Sequence, residues 1–208
     1  MNKRKSTEIT ELLKSEYPDA ACSLTYKKDY ELLIAARLSA QCTDARVNMV
    51  TPALFARYTS PQAFAEADVR ELEGYIASCG LFKTKAADII ETCKRIVEVY
   101  GGRVPDNIDD LLTLRGVGRK TANLILGDVY GKPAVVTDTH CIRISNRLGL
   151  ADSKDPRKVE DALRAAIAPE EQSDFCHRLV LHGRAVCTAR APKCDKCVLA
   201  GVCGKRGV

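Results

Sequence analysis

A lysine placed directly after a glycine turn is the first group in this chain that could do chemistry. In LRGVGRKTANLILGD, residues 114–128, Gly116 and Gly118 precede Arg119 and Lys120, and an apolar helical face follows. A helix N-terminus already carries partial positive charge, so cations there are locally unfavourable. Either an anion docks at the turn, or the lysine is wanted as a neutral amine. The helix dipole and the neighbouring Arg119 both disfavour the ammonium form, and a neutral amine is a nucleophile able to form a Schiff base. Eighteen residues further on, VVTDTHC sets Asp138 after a short extended piece and at a helix start. Taken singly, Lys120 reads as a phosphate contact and Asp138 as a helix N-cap. Taken as a pair, the carboxylate could stabilise positive charge developing on a sugar as its base leaves and help move protons.

A second group of residues points to a metal centre. Cys187, Cys194, Cys197 and Cys203 lie in one short loop, with one C-x-x-C pair flanked by two single cysteines. Structural zinc more often uses two C-x-x-C pairs well apart, whereas a cluster with one cysteine per iron suits the flanked arrangement. Spacing alone leaves zinc and iron–sulfur both open. Arg190 and Lys193 fall between the first two cysteines, so the metal would staple a basic loop able to meet phosphates. The remaining six cysteines are scattered singly and read as small buried hydrophobes of a reducing compartment.

These groups need a scaffold, and nearly every segment reads as helix. Asp29, Thr43, Ser60, Asp68, Asn107, Asp138 and Asp155 each stand where a cap is wanted, and Pro61, Pro156 and Pro169 mark helix starts. Asp68 with Glu71 has the spacing of a capping box. Gly101–Gly102 ends a long helix that carries Ile89, Cys93 and Ile96. Only Ala134–Val136 looks like strand, too little for a sheet, so the class is all-α. A short helix, the Gly116–Gly118 turn and a second helix make a helix–hairpin–helix. The free N–H groups of such a turn suit a phosphate and position a duplex without reading its sequence.

Composition narrows the partners. Of 208 residues, 46% are hydrophobic, enough for a sizeable core without disulfides. The apolar runs are too short to span a membrane, and the basic N-terminus lacks the apolar stretch of a signal peptide. Both point to a cytoplasmic, intracellular protein. Net charge is only +5, yet from His177 to the end seven Arg or Lys face one acid, Asp195. Aromatic residues make up 5%, with no Trp, which argues against base stacking as the recognition mode.

The stretches LLIAARLSAQCTD, GLFKTKA, LRGVGRKTAN, VVTDTHCIRISNRL and HGRAVC, with the four cysteines, together resemble the endonuclease III family of helix–hairpin–helix DNA glycosylases. The resemblance covers nearly the whole chain. It implies a bifunctional DNA glycosylase and abasic-site lyase of base excision repair. Lys120 would attack the anomeric carbon of the damaged nucleotide, Asp138 would be the catalytic carboxylate, and β-elimination would cut 3′ to the abasic site. It implies a [4Fe–4S] cluster on Cys187, Cys194, Cys197 and Cys203. It places Gln41 and Leu81 in the duplex, where they fill the gap left by a flipped base. It sets Asp44 and His140 near the pocket, and Gly116, Gly118, Arg119, Arg190 and Lys193 against the DNA. The partner would be double-stranded DNA carrying oxidised pyrimidines or abasic sites, met by a monomer. Two helical lobes with a cleft between them are implied: residues 22–131, including the hairpin at 109–130, and an iron–sulfur lobe of residues 1–21 plus 132–208, with its cluster loop at 187–203.

The chain departs from the family pattern at four positions. Arg115 stands where proline is usual, Cys42 where threonine or alanine is commoner, Cys141 where an apolar residue is commoner, and Ala191 where lysine is usual. The nearest rival is a monofunctional mismatch adenine glycosylase of the same superfamily, which lacks the lysine nucleophile and carries a further C-terminal domain. Lys120 speaks against it, as does a chain ending five residues after Cys203. A non-catalytic DNA-binding protein holding a metal cluster is the other alternative, and the intact pair of Lys120 and Asp138 speaks against that.

Overall fold

The computed structural model describes residues 3–208; Met1 and Asn2, at the head of the N-terminal segment read above, lie outside the described residues. Regular structure among the described residues is helical throughout. The chain divides into two compact units, one of Ser23–Tyr130 and one of the residues up to Cys22 together with Gly131–Val208. Helix α1 (Lys3–Glu16) belongs to the second.

The Ser23–Tyr130 unit contains α2 (Asp29–Leu38), α3 (Asp44–Arg57), α4 (Pro61–Ala65), α5 (Val69–Ile76), a 3₁₀ turn at Ala77–Cys79, α6 (Phe82–Tyr100), α7 (Ile108–Leu112) and α8 (Arg119–Asp128). Side-chain oxygens of Thr43, Ser60, Asp68 and Asn107 accept from the first free N–H groups of α3, α4, α5 and α7. Each such cap is worth about 1 kcal/mol. Helix α6 runs through the centre, with α4 and α5 packed on it, while α8 packs on α2 and α7. Leu33, Phe64, Leu72, Ile89, Ile96 and Ile125 are all fully or almost fully buried. At roughly 1.5–3 kcal/mol for each side chain removed from water, these contacts outweigh the caps.

In the other unit α9 (Thr139–Leu148), α10 (Pro156–Ala166) and α11 (Gln172–Ala185) follow an extended segment, and α1 and α9 both pack on α11. Val135, Ile144, Leu163, Phe175 and Leu179 form its core with Ile9 and Leu13 of α1. Lys14 at the end of α1 pairs with Glu171 at 2.5 Å, and Arg178 holds the other oxygen of Glu171 at 2.7 Å. Among the described residues no helix is long and apolar enough to cross a membrane.

Four local expectations fail for identifiable reasons. Asp29 is the first helical residue rather than the cap, which is Lys28; its carboxylate reaches the N–H of Val104 at 3.1 Å instead. Glu71 does not close the capping box, because Arg57 takes both its oxygens, at 2.6 and 3.0 Å. Ala134–Val136 has no neighbouring strand; it is buried extended chain, with the Val136 N–H donating to the sulfur of Cys176 at 3.3 Å. Pro169 opens a 3₁₀ turn, Pro169–Glu171, and α11 starts only at Gln172.

Candidate active site and cluster-binding loop

The hairpin joins α7 to α8 through residues 113–118. Gly116 has φ +75, and a Cβ there would lie 2.6 Å from Nε of Arg37, so no other residue fits the turn. Gly118 differs: its φ of −95 suits any residue, and a Cβ would meet no protein atom. Among the described residues nothing demands a glycine at 118. The N–H groups of Gly116, Gly118 and Lys120 donate to no acceptor among the described residues.

Beneath the turn sits Asp88 of α6, which the sequence reading did not single out. Its Oδ2 accepts from Nε and Nη2 of Arg37 at 2.9 and 2.6 Å, and its Oδ1 from Nε of Arg115 at 2.7 Å. The carboxylate side chain is only 7% exposed, so its two cations hold the turn from inside. Thr92 adds a bond from its hydroxyl to the Arg115 carbonyl at 2.7 Å. These ties replace the rigidity that proline would bring at position 115. Lys120, the second residue of α8, is exposed, and its side chain makes no hydrogen bond or ion pair among the described residues.

Asp138 caps α9. Its Oδ1 accepts from the Cys141 N–H at 2.7 Å, and its Oδ2 lies 3.1 Å from Nδ1 of His140. Capping uses one oxygen, and the other faces the imidazole. Gly183 of α11 sets the position of that ring: a Cβ there would stand 2.7 Å from Cδ2 of His140 and 2.9 Å from Nη2 of Arg143. No local pattern in the sequence marks Gly183, since the need for it arises only where α9 meets α11.

Gln41 and Leu81 stand apart in backbone conformation. With Lys205 they are the non-glycine residues of positive φ among the described residues, at +53 and +47. Left-handed backbone costs a residue with a Cβ roughly 1–2 kcal/mol. Both side chains are exposed, Leu81 to 58%. Asp44, half-buried, is the first residue of α3 just beyond Gln41. Fully buried Lys85 ties the two tips together, donating to the carbonyls of Leu38 at 2.8 Å and Cys79 at 2.7 Å. Burial pulls its pKa below the ordinary lysine value.

In the cysteine loop, Cys187, Cys194, Cys197 and Cys203 line one cavity together with Arg147 and Pro192. Among the described residues no three His, Cys, Asp or Glu side chains converge as ligands of a single ion. Four thiols lining one cavity are a donor set that an iron–sulfur cluster can take. Arg147, 7% exposed, donates to the Cys187 sulfur at 3.3 Å and to the carbonyls of Thr188 and Ala189 at 2.7 and 2.9 Å. His182, 1% exposed, bridges the Tyr17 hydroxyl at 3.1 Å and the Cys197 sulfur at 3.4 Å. Burial lowers the His182 pKa below the ordinary histidine value. Arg190 and Lys193 are exposed on the loop, Lys193 resting on the Ala185 carbonyl at 3.1 Å.

Comparison with known proteins decides what carries this geometry. Residues 34–169 match the HhH-GPD superfamily of base excision DNA repair proteins, and residues 187–203 match the iron–sulfur binding domain of endonuclease III. Endonuclease III of Synechocystis sp. is 48% identical over 97% of this chain and 92% of its own length. That of Escherichia coli is 40% identical over 98% and 96%. The chain belongs to the endonuclease III family.

As a member of that family it is a DNA glycosylase and abasic-site lyase of base excision repair with a [4Fe–4S] cluster. The four-thiol cavity fits the cluster, and when bound the iron–thiolate bonds would fix the basic loop. Among solved structures, a trapped covalent intermediate of endonuclease III with DNA matches with a TM-score of 0.92 and 40% identity, over 99% of this chain and 97% of the other. A thermostable thymine-DNA glycosylase matches at 0.87 with 23% identity, a likeness of fold. Arg115, one of the departures from the family pattern, has its guanidinium committed to Asp88.

Proposed function

We propose that Lys120 is the nucleophile of this enzyme, Asp138 its catalytic carboxylate, and oxidised pyrimidines and abasic sites in duplex DNA its substrates. The amine of Lys120 attacks the anomeric carbon of the damaged nucleotide, and Asp138 stabilises the charge that develops as the base departs. The resulting imine permits β-elimination, which cuts the strand 3′ to the abasic site. The observation that carries this reading is the Lys120 side chain itself, exposed at the first turn of α8 and without a partner among the described residues. A lysine kept for structure would hold a carbonyl or carboxylate, as Lys85 and Lys14 do.

The free N–H groups of Gly116 and Gly118 and the cation of Arg119 receive a backbone phosphate. Gln41 and Leu81 enter the duplex on their left-handed tips, and Asp44 and His140 lie near the extruded nucleotide. Cys187, Cys194, Cys197 and Cys203 hold the cluster, and Arg190 and Lys193 on the loop between the first two meet further phosphates. The enzyme works as a monomer in the cytoplasm, on nucleoid DNA. The solved relatives include endonuclease III–DNA complexes, covalent and non-covalent, which supports both the partner and the covalent step.

Borohydride reduction tests the assignment. The enzyme is expected to be trapped covalently on a duplex holding an oxidised pyrimidine or an abasic site. Lys120→Gln is expected to lose the trapped complex while retaining DNA binding. Trapping that survives in this variant would assign the nucleophile elsewhere.

A further inference from the structure

Two cysteines sit at the bases of the tips that carry Gln41 and Leu81. Cys42 follows Gln41 and closes the turn after α2, its N–H donating to the Ser39 carbonyl at 3.1 Å. Cys79 ends the 3₁₀ turn before Gly80 and Leu81. Their thiols are within hydrogen-bonding reach of each other, and both lie within the electrostatic reach of the buried Lys85 ammonium. Lys85 spends two of its three N–H groups on the carbonyls of Leu38 and Cys79, so its charge is fixed between the tips. The two sulfurs differ in access: Cys42 is half-buried and Cys79 is 1% exposed. Burial and the Cys42 thiol push the Cys79 thiol up to about 11. A second pair of thiols in hydrogen-bond contact, Cys141 and Cys176, is sealed at 0% and 2% exposure and offers a reagent no entry.

We propose that Cys42 and Cys79 form a redox-active dithiol, which a small-molecule disulfide converts to a cystine that locks the Gln41 and Leu81 tips together. The Cys42 thiolate attacks one sulfur of the small disulfide, forming a mixed disulfide and releasing one small thiolate. Cys79 then gives up its proton and attacks the Cys42 sulfur, forming the internal bond and expelling the second small thiolate. Two protein thiols are oxidised and one small disulfide is reduced to two thiols. The functional consequence rests on the reading of Gln41 and Leu81 as residues that enter DNA.

The test uses the cluster-loaded enzyme and oxidised glutathione, with the visible absorbance of the cluster followed throughout. Non-reducing peptide mapping is expected to find Cys42 linked to Cys79 and the protein lighter by two hydrogens. Cys79→Ala is expected to stop at the glutathione adduct on Cys42. Base release by the linked enzyme is expected to slow about tenfold or more and to recover with dithiothreitol. Wild-type protein that halts at the adduct, or a Cys42 that never reacts, overturns the dithiol. A cystine that forms without slowing base release overturns its hold on the tips. If the reduced enzyme itself releases no base, the functional reading fails, and the mapping still decides the chemistry at Cys42 and Cys79.

Discussion

The carboxyl of Asp138 divides its two oxygens between the backbone of its own helix and the imidazole of His140, 3.1 Å away. This division separates stability from chemistry in an experiment. Asn keeps an oxygen for the Cys141 N–H and caps helices as well as Asp does. Asp138→Asn is therefore expected to melt near the wild-type temperature while base excision falls by about 10²-fold or more. Asp138→Ala is expected to add a stability loss of about 1 kcal/mol. Single-turnover excision and thermal melts of the two variants check this; an Asn variant with the wild-type rate would leave the residue as a cap alone.

Gly183 lets α9 and α11 come together at His140. In a helix interior Ala is ordinarily more stable than Gly by about 1 kcal/mol. Here the added carbon would lie 2.7 Å from the His140 ring and 2.9 Å from Ile144, both on the packed face of α9. Overpacking of this kind costs about 1–3 kcal/mol. Gly183→Ala is expected to be destabilised on balance and to shift the His140 ring resonances. Chemical denaturation and histidine-resolved NMR test it, and a stabilised variant with unmoved resonances would contradict the packing.

Glu171 links α1 to α11 and supplies an acid-sensitive term. Its hydrogen bond from Lys14, then that from Arg178, lower its pKa from the ordinary 4.5. A lowered carboxylate favours the folded state above pH 4.5, and that contribution disappears as pH falls through the lowered folded value. Wild type is therefore expected to be more stable than Glu171→Gln at neutral pH, with the gap closing below pH 4.5. Denaturation midpoints of both proteins measured from pH 7 to pH 3 would show it. A gap independent of pH would mean that the ion pairs contribute nothing.

Much of this fold could be read in the chain because its signals are local. Thr43, Ser60, Asn107, Asp138 and Asp155 declare helix starts through side chains that bond within three residues. The Gly116 turn and the four-cysteine loop were visible for the same reason. The misreadings arose where a distant partner took over a local group. Arg57 removed Glu71 from its capping box, and Val104 drew the Asp29 carboxylate. Asp88, Lys85 and Gly183 have no role in the sequence reading, although Lys85 and Gly183 fall within GLFKTKA and HGRAVC. Each acts on residues far along the chain: Asp88 is 51 residues from Arg37, and Lys85 is 47 from Leu38. A spacing pattern carries no trace of such meetings.

Left-handed backbone at Gln41 and Leu81 also restricts what evolution can place there. Branching at Cβ makes that conformation an outlier, so valine, isoleucine and threonine are disfavoured at both positions. Substitution at either tip must therefore pass through unbranched side chains, or begin by rebuilding the loops beneath them.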